Sequence, residues 1–147
     1  MYHYVYSAHT KREFLSKGRL LGNPKKEPMH YGEVFAIWGY LLSEKSMIPM
    51  YQIAINHTGD KDLKELLEEA IASGREQVKE LEKLLKKNGI GLPPAPPERP
   101  IADLEEIPPG ARMMDPEIGA MVAKNTAAGL VACSAIMGES HREDIGL

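Results

Sequence analysis

This chain is short of the residues that most often announce chemistry. It has one cysteine, Cys133, so no disulfide can close within it, which suits a reducing compartment. It holds no CxxC, no HExxH, no Gly-rich phosphate loop and no legible set of Ser, His and acid for a nucleophile. No known sequence motif therefore points to structural zinc, thiol exchange, nucleotide binding or serine hydrolysis. Neither sign of charge dominates. There are 18 basic and 21 acidic residues, a net charge of −3, which gives no electrostatic case for nucleic acid or an anionic membrane as partner. Long apolar runs are missing too. The longest, Ala127 to Gly138, falls short of the roughly 20 residues that span a bilayer. The opening MYHYVYSAHTKREF lacks the apolar stretch of a secretory signal. The chain reads as soluble and cytoplasmic.

What remains is an ordinary globular composition, 43% hydrophobic and 27% charged, in 147 residues. That predicts one domain with a core of its own. Residues 1–29 are weakly patterned and read as an N-terminal arm, with Tyr2, Tyr4 and Tyr6 alternating before KREFLSKGRLL. The bundle domain then covers 30–147.

Three helices are legible in that domain. The first is expected over about 30–57, where Val34, Ile37, Trp38, Leu41, Leu42, Ile48, Ile53 and Ile55 recur at three- and four-residue steps. Pro49 should kink it rather than end it, because the rhythm resumes beyond. NHTGD stops this helix near Gly59 and restarts the chain with Asp60 as N-cap. The second helix, about 60–88, carries Leu63, Leu67, Ala70, Gly74, Gln77, Leu81 and Leu84 on one stripe, widened by Leu66, Ile71, Val78 and Leu85. Glutamates lead and lysines trail on its outer face, as the helix dipole favours. Asn88-Gly89 closes it. The third, about 116–138, opens at DPEIG with Asp115 as expected N-cap. From Thr126 to Met137 nearly every face is small or apolar, so this helix is expected to be buried on several sides. Phe35, Trp38 and Tyr40 are expected at the aromatic centre of the core.

Between the second and third helices lies GIGLPPAPPERPIADLEEIPPGARMMDP, which holds eight of the 11 prolines. Connections of this length are unusual in compact domains. A two-domain linker is disfavoured, since neither side alone makes a core. The Pro93 to Pro96 PxxP match is a weak docking signal. The preferred reading is a crossover strap that runs the length of a helical bundle, tacked down by Leu92, Ile101, Leu104 and Ile107. One long crossover between second and third helices is the ferritin-like arrangement. Ser140 to Glu143 then fits a capping box, so a fourth helix starts near 141 and stops almost at once at Leu147. That turn is too short to stand alone. The fourth position therefore belongs to a longer version of the chain, a neighbouring subunit or the N-terminal arm.

Ferritin-like bundles often hold two metals through Glu-x-x-His pairs. No glutamate here is followed three residues later by histidine. His30-x-x-Glu33 has the spacing in reverse and sits where a helix cap belongs. His57 falls in the NHTGD turn, where it should bond backbone, and His141 in the presumed capping box. Cys133, in GLVACSAIMG, reads as a buried inert thiol. Met113-Met114 reads as local packing. No catalytic, cofactor or metal residue is assigned.

The segments HYGEVFAIWGYLL, INHTGDKDLKELLEE, KNGIGLPPAPPERP, EEIPPGARMMDPEI and AAGLVACSAIMGESHREDI together resemble an uncharacterised family of small helical proteins from endospore-forming bacteria. The resemblance runs from about Gly22 to Ile145. It implies an all-α, ferritin-like four-helix bundle whose last helix is truncated here. Some members carry a spore coat label, and the family has no established activity to carry over. The expectation is a non-enzymatic structural or interaction protein, spore-associated, self-assembling through its apolar third helix, with spore-layer proteins as further partners. The alternative is a metal-binding ferritin-like protein with atypical ligands, in iron or oxidant handling.

Overall fold

The computed structural model describes residues 28–146. They are all-α, with three long helices and no strand among the described residues. These are α1 (Tyr31–Asn56), α2 (Lys61–Lys87) and α3 (Asp115–Glu139), followed by the single turn α4 (Glu143–Gly146). The expected arm lies outside the described residues except for Pro28 and Met29. The tyrosine alternation lies wholly outside them. Of the four helices expected, the last is this one turn.

Side chains set most of the helix ends. His30 caps α1: its Nδ1 accepts the Glu33 N–H at 3.2 Å, and Glu33 Oε2 accepts the His30 N–H at 3.0 Å. Pro49 sits inside α1, which continues to Asn56 although Pro49 cannot donate to the Lys45 carbonyl. His57, not Gly59, is the C-cap. Asp60 caps α2, its Oδ1 accepting the Leu63 N–H at 2.9 Å. At the other end of α2, Gly89 adopts φ of 73°, a conformation that favours glycine. The Gly89 N–H then reaches the Lys86 carbonyl and the Ile90 N–H the Leu85 carbonyl, both at 3.0 Å, which is the Schellman pattern.

Two expected caps are corrected. The N-cap of α3 is Met114, with Asp115 already in the first turn. Glu117 Oε2 accepts the Met114 N–H at 2.7 Å, which frees Asp115 to accept the Thr58 hydroxyl at 2.6 Å. Ser140 does not open a new helix. It ends α3, and its hydroxyl donates to Glu33 Oε1 at 2.8 Å. The final turn begins later, at Glu143, and the Ser140 hydroxyl also accepts the Arg142 N–H at 3.1 Å.

The proline-rich connection is a strap along α1, held by one polar stripe on that helix. Trp38 Nε1 donates to the Gly91 carbonyl at 3.1 Å and Lys45 Nζ to the Pro93 carbonyl at 3.1 Å. Gln52 accepts the Arg99 N–H at 2.7 Å and donates to Glu98 at 3.1 Å. Asn56 donates to the Pro100 carbonyl at 2.9 Å and accepts the Ala102 N–H at 3.0 Å. Residues 38, 45, 52 and 56 step by seven, seven and four, so they share a helix face. α1 rises about 27 Å from Trp38 to Asn56, and an extended chain from Gly91 to Ala102 covers about 34 Å. The strap therefore runs parallel to α1 and delivers α3 to its far end. There the Met113 N–H meets His57 Nδ1 at 2.9 Å. α3 then returns antiparallel to α1 and parallel to α2. Leu92 packs on the Ile37, Leu41 and Leu85 cluster, and Leu104 lies over Gly59. Ile101 is no tack at all: it is 94% exposed.

The core has two clusters. One joins Ile48, Tyr51, Ala54, Leu67, Ile71, Ile118 and Val122 near the start of α3, and the other joins Ile37, Leu41 and Leu85. Leu41, Leu67, Leu85 and Ile118 are fully buried, each worth about 1.5–3 kcal/mol against exposure. Tyr51 is the aromatic residue buried in the first cluster, and Trp38, as expected, packs against the second. Phe35 is 82% exposed, on a face of α1 turned away from both clusters. α3 also departs from expectation. Only Ile118 and Val122 are buried, both in its first two turns, while Leu130, Val131 and Met137 are largely exposed.

Candidate functional site

Where α3 loses its neighbours, an open groove runs between α2 and α3 with α1 as its floor. It encloses about 700 Å³. Tyr40, Glu44, Met47 and Tyr51 come from α1, Ala70, Ser73, Gly74 and Gln77 from α2, and Asn125, Gly129, Leu130 and Cys133 from α3. A second hollow of about 500 Å³ continues it toward the end of α3, sharing Tyr40, Cys133 and Ile136 and reaching Met137 and Ile145. Small residues on all three helices keep the trough deep. A Cβ on Gly74 would stand 3.7 Å from Glu44 Oε2, and one on Gly129 would stand 4.0 Å from the Tyr40 hydroxyl.

Three polar groups line the middle of this apolar trough. The Tyr40 hydroxyl donates to Gln77 Oε1 at 3.1 Å. Burial, a hydrogen bond with Cys133 and the nearby Glu44 charge push the Tyr40 phenol above its ordinary range. Burial also pushes the Glu44 carboxyl up, against a smaller downward pull from its bond with Tyr40. No cation pairs with Glu44 among the described residues. Asn125 Nδ2 is buried with no hydrogen-bond partner among them. The trough thus offers an acid and an amide that an occupant would satisfy. An acid at Glu44 and a phenol at Tyr40, four residues apart on the helix face that also carries Ile37, Ile48 and Tyr51, were the sequence signal for it.

The histidines singled out from sequence serve structure. His30 caps α1, and His57 binds the Met113 backbone. His141 gives its N–H to Glu33 Oε1 at 3.2 Å, and its ring lies 5.7 Å from that of His30. Glu33, 3% exposed, therefore ties the start of α1 to the end of α3. Desolvation pushes its carboxyl up, but donors from Ser140, His30 and His141 outweigh this and hold it below the usual range. Beyond it, Arg142 grips Asp144 at 2.9 and 2.7 Å and Asn88 at 2.8 Å. Cys133 is half-buried in the groove rather than sealed in a core. No group of three or more His, Cys, Asp or Glu able to hold a metal occurs among the described residues.

Residues 18–147 match the model of a protein family of unknown function, DUF3231. The chain belongs to that family. It is 53% identical over 130 residues to the uncharacterized protein YvdQ of Bacillus subtilis, covering 88% of this chain and 76% of that protein. Its fold resembles the crystal structure of a Bacillus halodurans protein described as a "putative spore coat protein". The two share 54% identity and a TM-score of 0.82, over 84% of this chain and 78% of the other. By length and composition alone, Pro109–Glu139 is apolar enough to cross a membrane, with a mean hydropathy of 1.4 over its best 18-residue window.

Proposed function

We propose that this DUF3231 member is a non-enzymatic structural or interaction protein associated with the spore, built as a ferritin-like bundle that self-associates through α3. The observation that carries the reading is the outer surface of α3, where Val131 is 70% exposed and only 6% of the helix's most apolar 18-residue window is buried. An apolar surface left open in this way marks a site of association. The spore coat description of the Bacillus halodurans relative supports the spore association. The start of α3 packs on the bundle through Ile118 and Val122, which favours protein over bilayer as the cover for the rest.

Light scattering on the purified protein, paired with metal analysis, tests this. The reading expects an oligomer that Val131→Glu breaks into monomers, carrying no stoichiometric metal. Bound iron or manganese near one per chain would overturn it in favour of the metal-binding ferritin-like alternative. A monomeric wild-type protein would remove the self-association.

A further inference from the structure

The outer face of α3 and the groove on its inner flank are different surfaces, and the second carries charge of one sign only. We propose that the groove binds a small organic ammonium ion, a primary amine whose charged head pairs with Glu44 and whose apolar body lies along the walls.

Among the described residues, no lysine, arginine or histidine lines the larger hollow, and Glu44 is its one acid. The hydrogen bonds leave that acid short. A phenol has one proton to give. The Tyr40 hydroxyl gives it to Gln77 Oε1 at 3.1 Å, although Glu44 also lies within its reach. A half-buried carboxylate without a cation or a donor of its own is costly to keep charged, and its carboxyl is pushed up accordingly. An ammonium head supplies three donors and the missing charge. Tyr40 and Tyr51 line the hollow on either side of Glu44 along α1. Their rings attract a cation that reaches their faces.

Shape agrees with charge. A trough of about 700 Å³ falls within the range of small-molecule sites, and Met47, Leu130 and Ile136 give it apolar walls. Asn125 Nδ2, buried without an acceptor, adds a donor that a hydroxyl or carbonyl on the ligand body would satisfy. Other ligand classes fit less well. An anion would meet Glu44 with no basic group beside it, and a wholly apolar molecule would bury that carboxylate unpaired. The smaller hollow is a poorer seat, because its acids are already matched. Glu80 pairs with Lys83 at 3.4 Å and Asp144 with Arg142 at 2.7 Å.

Calorimetric titration of the full chain with phenethylamine and with hexylamine tests the site, at about pH 8 where alkylamines keep their proton. At least one amine is expected to bind with a Kd below about 1 mM. The matching alcohols, phenethyl alcohol and hexanol, should bind about tenfold more weakly or worse. Glu44→Gln should weaken the amine about tenfold and leave the alcohols unchanged, a split that a merely structural role would not produce. Gly129→Leu, which sets a side chain beside the Tyr40 hydroxyl, should remove binding of both. Cys133 is the only cysteine and lines both hollows, so it reports on occupancy. Amine at roughly ten times its Kd should slow alkylation of Cys133 by iodoacetamide about tenfold. A Kd above about 1 mM for both amines, alcohols that bind as tightly, or amine binding that survives Glu44→Gln or Gly129→Leu would each overturn the proposal. So would a Cys133 that is unreactive before any amine is added, because protein would then already cover the groove. The Val131→Glu protein should bind the amines as the wild type does, so this proposal and self-association can fail separately.

Discussion

Glu33 and Glu44 are two glutamates on one helix, about three turns apart, and their surroundings differ completely. Both Glu33 oxygens are taken by donors from His30, Ser140 and His141, and the bundle end around it is sealed. Glu44 faces a trough with a phenol for company and no cation among the described residues. The same side chain on the same helix is a cross-link in one place and a vacancy marker in the other. The end held by Glu33 is finished structure. In the middle of the molecule, where Glu44 lies, the carboxylate faces an open groove.

The largest expected contrast is in packing. Leu67→Ala, in the sealed cluster, should cost about 2–5 kcal/mol in urea unfolding. Leu130→Ala, on the groove wall, should change stability by less than about 0.5 kcal/mol if the wall is open. Equal losses at the two sites would erase the distinction between a sealed cluster and an open groove wall.

Next is the cross-link itself. Glu33→Gln keeps the shape but removes the charge that several donors address, and should cost about 1.5–3 kcal/mol. Because the folded carboxyl lies below its unfolded value, this contribution is present above that unfolded value, near pH 4.3. It disappears as pH falls through the folded one. The wild type should therefore lose its advantage over the variant only on the acid side. A gap unchanged from pH 7 to pH 3 would show that the charge is idle.

A smaller effect tests the strap. Gln52→Ala removes two hydrogen bonds to Glu98 and Arg99 and should cost about 1–2 kcal/mol. A loss below about 0.3 kcal/mol would show that the strap is held by Trp38, Lys45, Asn56 and its own packing without help from Gln52.

These regions were unequally legible. The helices, Asp60, Asn88-Gly89 and the strap all follow from local rules, because each cap or stripe is decided within a few residues. The Trp38, Lys45, Gln52, Asn56 ladder was written in the sequence at heptad spacing, but polar residues at such spacing read as solvated face until a strap is laid over them. Asp115 misled because Thr58, distant in sequence, competes for its carboxylate. Phe35 misled because apolar character does not say which side of a helix a partner occupies. The groove was hidden for the opposite reason. The small, apolar stretch Thr126–Met137 announces neighbours, and nothing local tells whether they lie in this bundle, elsewhere in the chain or on another molecule.

The smallest expected effect sharpens the comparison most. Glu44→Gln removes a partly desolvated charge that no cation among the described residues offsets, and should stabilise the protein by about 0.5–1 kcal/mol at pH 7. Its sign with pH is opposite to that of Glu33. The folded Glu44 carboxyl lies above its unfolded value, so its favourable share is complete below about pH 4.3 and is lost as pH rises through the folded value. The gain from Gln should accordingly shrink toward zero in acid. If the exchange instead destabilises the protein at neutral pH, then Glu44 has a partner that addresses its charge. The two glutamates would then be alike after all.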